Sequence, residues 1–386
     1  MDKIWTRDFV LVSMANFFVA FIFYMILMVL AVYVMHDLGA SPAEAGLAVG
    51  IFLVAALTAR LISGRLIEDV GRTRLMCIGV IIFLVGTVLY PLANSIEWLY
   101  LVRAIHGAGF GTACTALGTI ATILVPRDRQ GEGLGYFLLS LTLASAVGPL
   151  VGMTLYNTYG MSPVFYVAIV IAVISYLLAR AVKTQPPIPL HERKVKAHGW
   201  QAFIEPSAVP IAVVAFFLFV AYASIVTFFS AYMIEIDHTE VGAVFFLVYS
   251  VSILITRPFT GKWGDKHGLS SVLYPSFIIF AVALFLLSIA SQAYHIIAAA
   301  ICMGVGFGAF IAAGQTRAIS ELHEERIGVA TTTYLAIAEL GTGFGPFFFG
   351  VIVPIIGYSG IYTLSTGICL FAGVLYYFFY TWRKSA

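Results

Sequence analysis

Apolar residues in this chain of 386 form twelve long runs, separated from one another by polar residues or by glycine and proline. A helix that crosses the roughly 30 Å apolar layer of a bilayer needs about 20 apolar residues, which is close to the length of these runs. The pattern therefore predicts an all-α integral membrane protein with twelve transmembrane helices. The predicted helices are 9–34, 43–66, 75–93, 98–125, 134–156, 163–181, 208–234, 241–263, 272–290, 295–316, 328–355 and 361–380.

Composition agrees with a lipid environment, because 61% of the residues are hydrophobic and only 10% are charged. A soluble domain carries about 25% charged residues. The four cysteines stand singly in apolar stretches, without the spacing of a metal or redox site. The formal charge of +2 is too small and too scattered to predict a nucleic-acid partner. The first run is longer than a signal-peptide core and predicts an uncleaved helix, with cleavage near Ala43 as the alternative.

The basic residues predict the orientation of the chain. Of 21 Lys and Arg residues, only Arg60, Arg103 and Arg257 fall inside apolar runs, and all the others lie on one side of the predicted topology. Lys and Arg are concentrated in cytoplasmic loops of membrane proteins. We therefore expect a multi-pass protein of the bacterial inner (plasma) membrane with both termini in the cytoplasm.

The two halves of the chain repeat each other at an offset of 197 residues. The offset superposes a loop sequence, a glycine-rich stretch, a Gly-Pro pair and a single glycine of the first half on counterparts in the second. This repeat predicts two six-helix bundles of parallel topology, pseudo-symmetric about an axis along the membrane normal. The predicted domains are 1–182 and 202–386, and a hydrophilic, proline-rich linker joins them at 183–201. The matching pairs are Gly64 with Gly261, Gly107 with Gly304, Gly148-Pro149 with Gly345-Pro346, and Gly160 with Gly357.

A short motif after the second predicted helix provides the first resemblance to a known family. Gly64-x-x-x-Glu68-x-x-Gly71-Arg72 resembles the cytoplasmic loop motif of the major facilitator superfamily, although that family usually has Asp at the position of Glu68. The motif recurs as Gly261-x-x-x-Asp265-x-x-Gly268. Its glycines permit a tight turn, and a carboxylate beside basic residues and helix ends could latch this face closed. The alternative is a solvated basic loop.

The fourth predicted helix contains two polar residues, Arg103 and His106, followed by Gly107 and Gly109. This sequence is similar to the family motif in which an intramembrane Arg takes part in proton coupling, with His106 where Gln is common. A charge at the bilayer centre costs about 2.5–3.5 kcal/mol or more, so we expect both side chains to line a cavity. For Arg103 the alternative is a structural bond to backbone carbonyls. For His106 a packing role is equally consistent with the sequence.

The Gly148-Pro149 pair on the fifth predicted helix resembles a motif associated with proton-exchanging exporters of this superfamily. Proline removes a helical hydrogen bond and glycine allows a neighbouring helix to approach, so the pair predicts a bend that takes part in conformational gating. Its repeat, Gly345-Pro346, shows that bending the scaffold is a sufficient explanation.

Glu339 is the acid that lies nearest the middle of a predicted span, in the eleventh helix. We expect it to load and release a proton during transport, with a structural hydrogen bond or ion pair as the alternative. Within this family the first, fourth, seventh and tenth helices line the cavity. The resemblance therefore implies a cavity of Asn16, Phe17, Phe21, Tyr24, Arg103, His106, Tyr222, Thr227, Phe307, Phe310 and Gln315.

The sequence as a whole predicts a secondary active transporter, not an enzyme, that works as a monomer by alternating access. It has no phosphate-binding loop, so the proton gradient is the expected energy source, with no cofactor and no metal. The aromatic cavity predicts export of small amphipathic compounds in exchange for protons. Export of an anionic or zwitterionic metabolite, such as a chelator or sugar derivative, is an alternative because of Arg103 and His106. Proton-coupled nutrient import is another, and a membrane enzyme or scaffold is disfavoured by the duplication.

Overall fold

The computed structural model describes residues 4–126, 130–183, 204–320 and 324–382. The described residues form helices without any strand, in agreement with the predicted class. The predicted linker at 183–201 lies almost entirely outside this part of the chain, and its structure stays a prediction. The long helices are α1 Arg7–His36, α2 Pro42–Val70, α3 Arg72–Leu89, α4 Ile96–Leu124, α5 Gln130–Tyr159, α6 Met161–Ala181, α7 Val209–Glu235, α8 Thr239–His267, α9 Ser270–Ser288, α10 Ala293–Ile319 and α11 Glu324–Tyr377.

The chain divides into two compact units, Met1–Lys194 and Val195–Ala386. Inside the first unit α4 packs on α2 and α3, and α1 packs on α5 and α6. Inside the second unit α10 packs on α8 and α9, and α7 packs on α11. The offset of 197 residues relates these pairs to one another, and it also maps the ends of α2, Pro42 and Val70, onto the ends of α8, Thr239 and His267.

Eleven of the helices in the described ranges are long and apolar enough to cross a membrane, one fewer than the sequence predicts. The difference lies in α11, whose 54 residues contain both of the last two predicted spans. At 1.5 Å per residue this helix would be about 80 Å long if it were straight, which is more than twice the thickness of the bilayer core. Gly357 interrupts it with a φ of 72° and a ψ of 178°. In the first unit Gly160, with a φ of 79°, separates α5 from α6 at the equivalent position.

The helix ends show which glycines make turns. Gly71 follows α2 with a φ of 94°, and Gly268 follows α8 with a φ of 85°. Glycine adopts this region without the steric cost that a side chain brings. Gly64 and Gly261, which the sequence also assigned to a turn, lie inside α2 and α8 with no other group within 4 Å of a modelling methyl position. The prediction of a turn at Gly64 and Gly261 was therefore wrong, because each helix continues for about two more turns.

Candidate functional site

The polar residues of α4 lie in the interior of the first unit. Arg103 and His106 are both 0% exposed, although they are a charged and a titratable residue in an apolar bundle. Their helix runs unusually close to its neighbours, because a methyl group added at Gly107 would meet the backbone of Phe52 on α2, and one added at Gly109 would meet the backbone of Phe83 on α3. Small residues allow this approach of helix backbones in membrane proteins. The approach places both polar side chains between α2, α3 and α4.

Arg103 makes three contacts inside its unit. Its Nε donates to the carbonyl oxygen of Ala48 at 2.9 Å, and its Nη1 donates to the hydroxyl of Tyr90 at 2.9 Å. The guanidinium carbon also lies 4.3 Å from the centre of the Phe52 ring, a cation–π contact. Its Nη2 has no hydrogen-bond partner in the described part of the chain. The guanidinium is thus anchored on two sides and keeps one buried donor available.

His106 has a hydrogen-bond partner on each ring nitrogen. Its Nε2 lies 3.1 Å from the hydroxyl oxygen of Thr87, and its Nδ1 lies 3.0 Å from that of Tyr90. The ring stacks on Phe83 at 4.2 Å between centroids and meets the edge of Phe52 at 5.3 Å. For both Arg103 and His106 this geometry agrees with the structural alternatives, a backbone bond and a packing role. Their predicted place in an open cavity stays a prediction.

Thr87 and Tyr90 are the members of this cluster that the sequence reasoning missed. Both are completely buried, one near the end of α3 and the other in the short 3-10 helix Tyr90–Leu92 that follows it. They stand three positions apart, a spacing that places them on one helical face. A Thr and a Tyr near the end of an apolar run are also typical of a membrane interface. The order of helices around α4 was needed to recognise their role.

The predicted cavity residues of α1 face other parts of the same unit. Asn16 is 2% exposed and donates from Nδ2 to the hydroxyl of Ser140 on α5 at 2.9 Å. Phe21 is buried, whereas Phe17 and Tyr24 are half-buried. A methyl group added at Gly148 would lie 2.9 Å from Cβ of Tyr24 and 3.0 Å from the carbonyl oxygen of Phe21. The structure therefore brings Phe21 and Tyr24 together with the Gly148-Pro149 pair, where α5 crosses α1.

The predicted cavity residues of the second unit are mainly aromatic. Tyr222 on α7 stacks on Phe307 of α10 at 4.4 Å between centroids, with an interplanar angle of 18°. Phe310 is completely buried, and Gln315 is half-buried. Thr227 is completely buried, and its hydroxyl has no hydrogen-bond partner among the residues that the structure describes. Tyr222 and Phe307 thus form the only close ring contact between two of these predicted residues in the described part of the second unit.

Glu339 is half-buried on α11. It lies two residues before Gly341, where an added methyl group would meet the carbonyl oxygen of Phe216 on α7. At Gly345 an added methyl group would lie 2.5 Å from Cβ of Ala223. The acid therefore occupies the segment of α11 that approaches α7 most closely, which is also the segment that contains Pro346.

The predicted gating motifs are described only in part. Arg72 begins α3 and is 9% exposed. The side chains of Glu68 and Asp265 lie outside the described part of the structure, so the predicted latch stays a prediction. In the described ranges no three His, Cys, Asp or Glu side chains are grouped in a way that could hold a metal ion.

Two bundles of long apolar helices, related by a sequence repeat and containing buried ionisable residues, define the class of protein as a multi-pass membrane transporter. The sequence profile of the Major Facilitator Superfamily matches residues 12–247 and 211–385, which together cover nearly the whole chain. The chain belongs to this superfamily. It is accordingly a transporter and not an enzyme, as the sequence predicted.

Individual relatives narrow the comparison further. An uncharacterised MFS-type transporter of Methanocaldococcus jannaschii is 25% identical over 357 residues, which are 90% of this chain and 92% of the relative. The multidrug resistance protein MdtG of Dickeya zeae is 24% identical over 399 residues, covering 99% of this chain and 96% of that protein. Among solved structures, the nucleoside transporter NupG superposes with a TM-score of 0.82 at 12% identity, covering 97% of this chain and all of NupG. The last similarity shows the fold alone.

Proposed function

We propose that this protein exports small amphipathic compounds across the bacterial inner membrane in exchange for protons. One observation carries the coupling part of this proposal: the guanidinium of Arg103 is completely buried and keeps one N–H donor without a partner in the described residues. A buried charge is costly unless a second group compensates it. An anionic group that arrives and leaves during the cycle would provide this compensation.

The proposed proton carrier is Glu339, because it is an acid inside a membrane span at a close helix crossing. An intramembrane carboxyl changes its charge at a large energetic cost, so its protonation can be linked to a change of conformation. In the proposed cycle Glu339 takes a proton from the outside and releases it to the cytoplasm, while Arg103 provides the positive charge that balances it. Alternating exposure of one central path, with both termini in the cytoplasm and one chain as the working unit, completes the proposal.

The proposed substrate class rests on two features. The predicted cavity is rich in aromatic side chains, such as the stacked pair Tyr222 and Phe307, which suit flat apolar compounds. The similarity to MdtG, named a multidrug resistance protein, supports export of such compounds. At 24% identity this similarity supports the direction and the class of substrate, and not a particular compound.

Vesicles with an imposed pH gradient test the direction and the coupling. We expect everted vesicles that contain the protein to accumulate the dye ethidium when their interior is acidified, and to release it when the gradient is collapsed. Gradient-driven accumulation in right-side-out vesicles would instead establish the importer alternative. Ethidium that moves equally with and without the gradient would contradict proton coupling.

The Glu339→Gln variant tests the proposed carrier, because glutamine keeps the size and polarity of the side chain but cannot exchange a proton. We expect gradient-driven dye accumulation to fall about 100-fold, while passive exchange of dye between the two sides persists. Glu240→Gln, at the start of α8, is the matched control and should transport normally. Normal transport by Glu339→Gln, with unchanged dependence on the gradient, would exclude Glu339 as the carrier.

A second substrate class follows from Arg103 itself. Its remaining donor, Nη2, suits a carboxylate or phosphate, so an anionic or zwitterionic metabolite is the alternative substrate. Competition separates the two classes. Small carboxylate chelators would inhibit ethidium transport only if the protein binds such anions, whereas a second lipophilic cation would inhibit it under the main proposal.

A further inference from the structure

The polar cluster of α3 and α4 forms a chain of hydrogen bonds, and the direction of each bond can be worked out. An arginine can only donate, so the hydroxyl of Tyr90 accepts from Nη1 of Arg103. The proton of that hydroxyl must then go to another acceptor. In the contacts that the structure records for Tyr90, the acceptor within hydrogen-bond distance is Nδ1 of His106, at 3.0 Å.

This direction fixes the rest of the chain. If Nδ1 of His106 accepts from Tyr90, the neutral imidazole carries its proton on Nε2 and donates it to the hydroxyl oxygen of Thr87 at 3.1 Å. Thr87 in turn donates to the carbonyl oxygen of Phe83 at 2.8 Å. Each of the two hydroxyls therefore accepts one hydrogen bond and donates one. The chain runs in one direction from the guanidinium of Arg103 to the backbone of α3.

A protonated His106 would not fit this chain. An imidazolium donates from both nitrogens, so Nδ1 and the guanidinium would both point protons at Tyr90, and the hydroxyl of Tyr90 would lose its acceptor. Arg103 is the only charged group within contact distance of this cluster in the described structure, and it has the same sign as an imidazolium. The other groups packed on the ring are the apolar faces of Phe52 and Phe83.

We propose that His106 is a positioning residue: it stays neutral, with its proton on Nε2, and holds Tyr90 so that Tyr90 fixes the guanidinium of Arg103. The proton that drives transport does not pass through His106. This departs from the expectation drawn from the sequence, in which His106 took part in proton coupling together with Arg103. Its functional part rests on the proposed role of Arg103, whereas its structural part is independent of transport.

The structural part is tested by NMR of the full chain in lipid nanodiscs, with histidine labelled by ¹³C and ¹⁵N. The chain has eight histidines, and the His106 signal is identified as the one that is lost in His106→Gln. We expect this signal to show the Nε2–H tautomer from about pH 5.5 to about pH 8.5, a range in which an ordinary histidine titrates. Titration to the imidazolium in this range, or an Nδ1–H tautomer, would overturn the proposal.

The functional part is tested by variants that keep or remove the hydrogen bonds. Glutamine at position 106 can accept from Tyr90 through its oxygen and donate to Thr87 through its nitrogen, whereas leucine can do neither. We expect His106→Gln to restore gradient-driven ethidium transport to within about 3-fold of the natural protein, with the same pH profile, and His106→Leu to lose about 10-fold or more. Tyr90→Phe should resemble His106→Leu, and the double variant should lose no more than either single variant.

The outcomes separate this inference from the proposed function. If the protein does not move ethidium at all, the proposed substrate class fails, but the NMR result still decides the state of His106. If His106→Gln abolishes the gradient dependence of transport while its melting temperature is unchanged, then His106 carries the proton and the positioning role is wrong. A melting temperature that falls in His106→Leu but not in His106→Gln would agree with the hydrogen-bond chain.

Discussion

The two units have nearly the same scaffold but different interiors. Gly107 and Gly109 of α4 face Phe52 and Phe83, and Gly304 and Gly306 of α10 face the equivalent Tyr249 and Phe280. Yet every polar member of the hydrogen-bond chain is replaced in the second unit by an apolar residue at the offset of 197. The pairs are Arg103 with Ala300, His106 with Met303, Tyr90 with Leu287, and Thr87 with Leu284.

The ionisable residue of the second unit stands elsewhere. Glu339 lies on α11, and its counterpart at the same offset in the first unit is Thr142, which cannot titrate. The duplicated positions are therefore those that determine helix packing, whereas the positions with chemical groups have diverged. This difference indicates that the fold tolerates either interior, and that the buried charges are retained for transport and not for stability.

The largest expected effect concerns the shared scaffold. Gly109→Ala and Gly306→Ala each place a methyl group against the backbone of a neighbouring helix, at 2.5 Å from the nitrogen of Phe280 in the second case. Because backbone cannot move aside as a side chain can, we expect each variant to lose about 3 kcal/mol or more of stability and to yield little folded protein. Size-exclusion chromatography and thermal melting in detergent measure this loss.

The matched control for the glycine variants is Gly118→Ala, on the same helix as Gly109 but with no other group within 4 Å of the added methyl. We expect this control to fold normally and to melt at the same or a slightly higher temperature, since alanine favours helix over glycine. A clear difference in sensitivity between Gly109→Ala and Gly306→Ala would show that the scaffolds are less similar than their contacts indicate.

The next effect concerns the divergent interior. Arg103→Met removes the buried charge and leaves a side chain of the kind that the second unit has at position 303. Replacing a buried charge by an apolar side chain is often neutral or stabilising. We therefore expect the melting temperature to be maintained or raised while gradient-driven ethidium transport falls about 100-fold. The control Met303→Leu should leave both quantities unchanged. A variant of Arg103 that unfolds would show that the charge stabilises the unit.

The smallest effect concerns the start of a helix. Ser41 caps α2 by accepting from the backbone nitrogen of Glu44, whose carboxylate accepts in return from the backbone nitrogen of Ser41 at 2.7 Å. The equivalent α8 begins after His238 without a side-chain cap. Ser41→Ala should lower the stability by about 1 kcal/mol, measured by thermal melting, without changing transport. His238→Ala is the control and should have a smaller effect, and equal effects would contradict the cap assignment.

The fold could be predicted from the sequence to a large extent, because apolar length and the repeat both depend on local pattern. The offset of 197 was visible in the glycines, and the same glycines form the equivalent helix contacts in the structure. The ends of helices were less predictable. The run that ends at 66 continues as helix to Val70, since membrane thickness limits the apolar segment and not the helix itself.

The candidate site could be predicted only in part. Arg103 and His106 stand out as polar residues in an apolar run, but their partners lie on a different helix. Tyr90 and Thr87 have no sequence signal that points towards α4, because the lateral order of helices is set by packing and not by local pattern. The partner of His106 therefore emerged only from the structure, together with the direction of its hydrogen bonds.

The close approach of α4 to α2 and α3 has a mechanical consequence. Helices whose backbones touch through glycine cannot slide past one another without separating first, so α2, α3 and α4 should move as a single stiff block. We expect the amide hydrogens around Gly107 to exchange with deuterium among the slowest in the first unit, and those around Gly304 to do the same in the second. Any bending that transport requires must then arise in the remaining helices, α1, α5 and α6 in the first unit and α7 and α11 in the second.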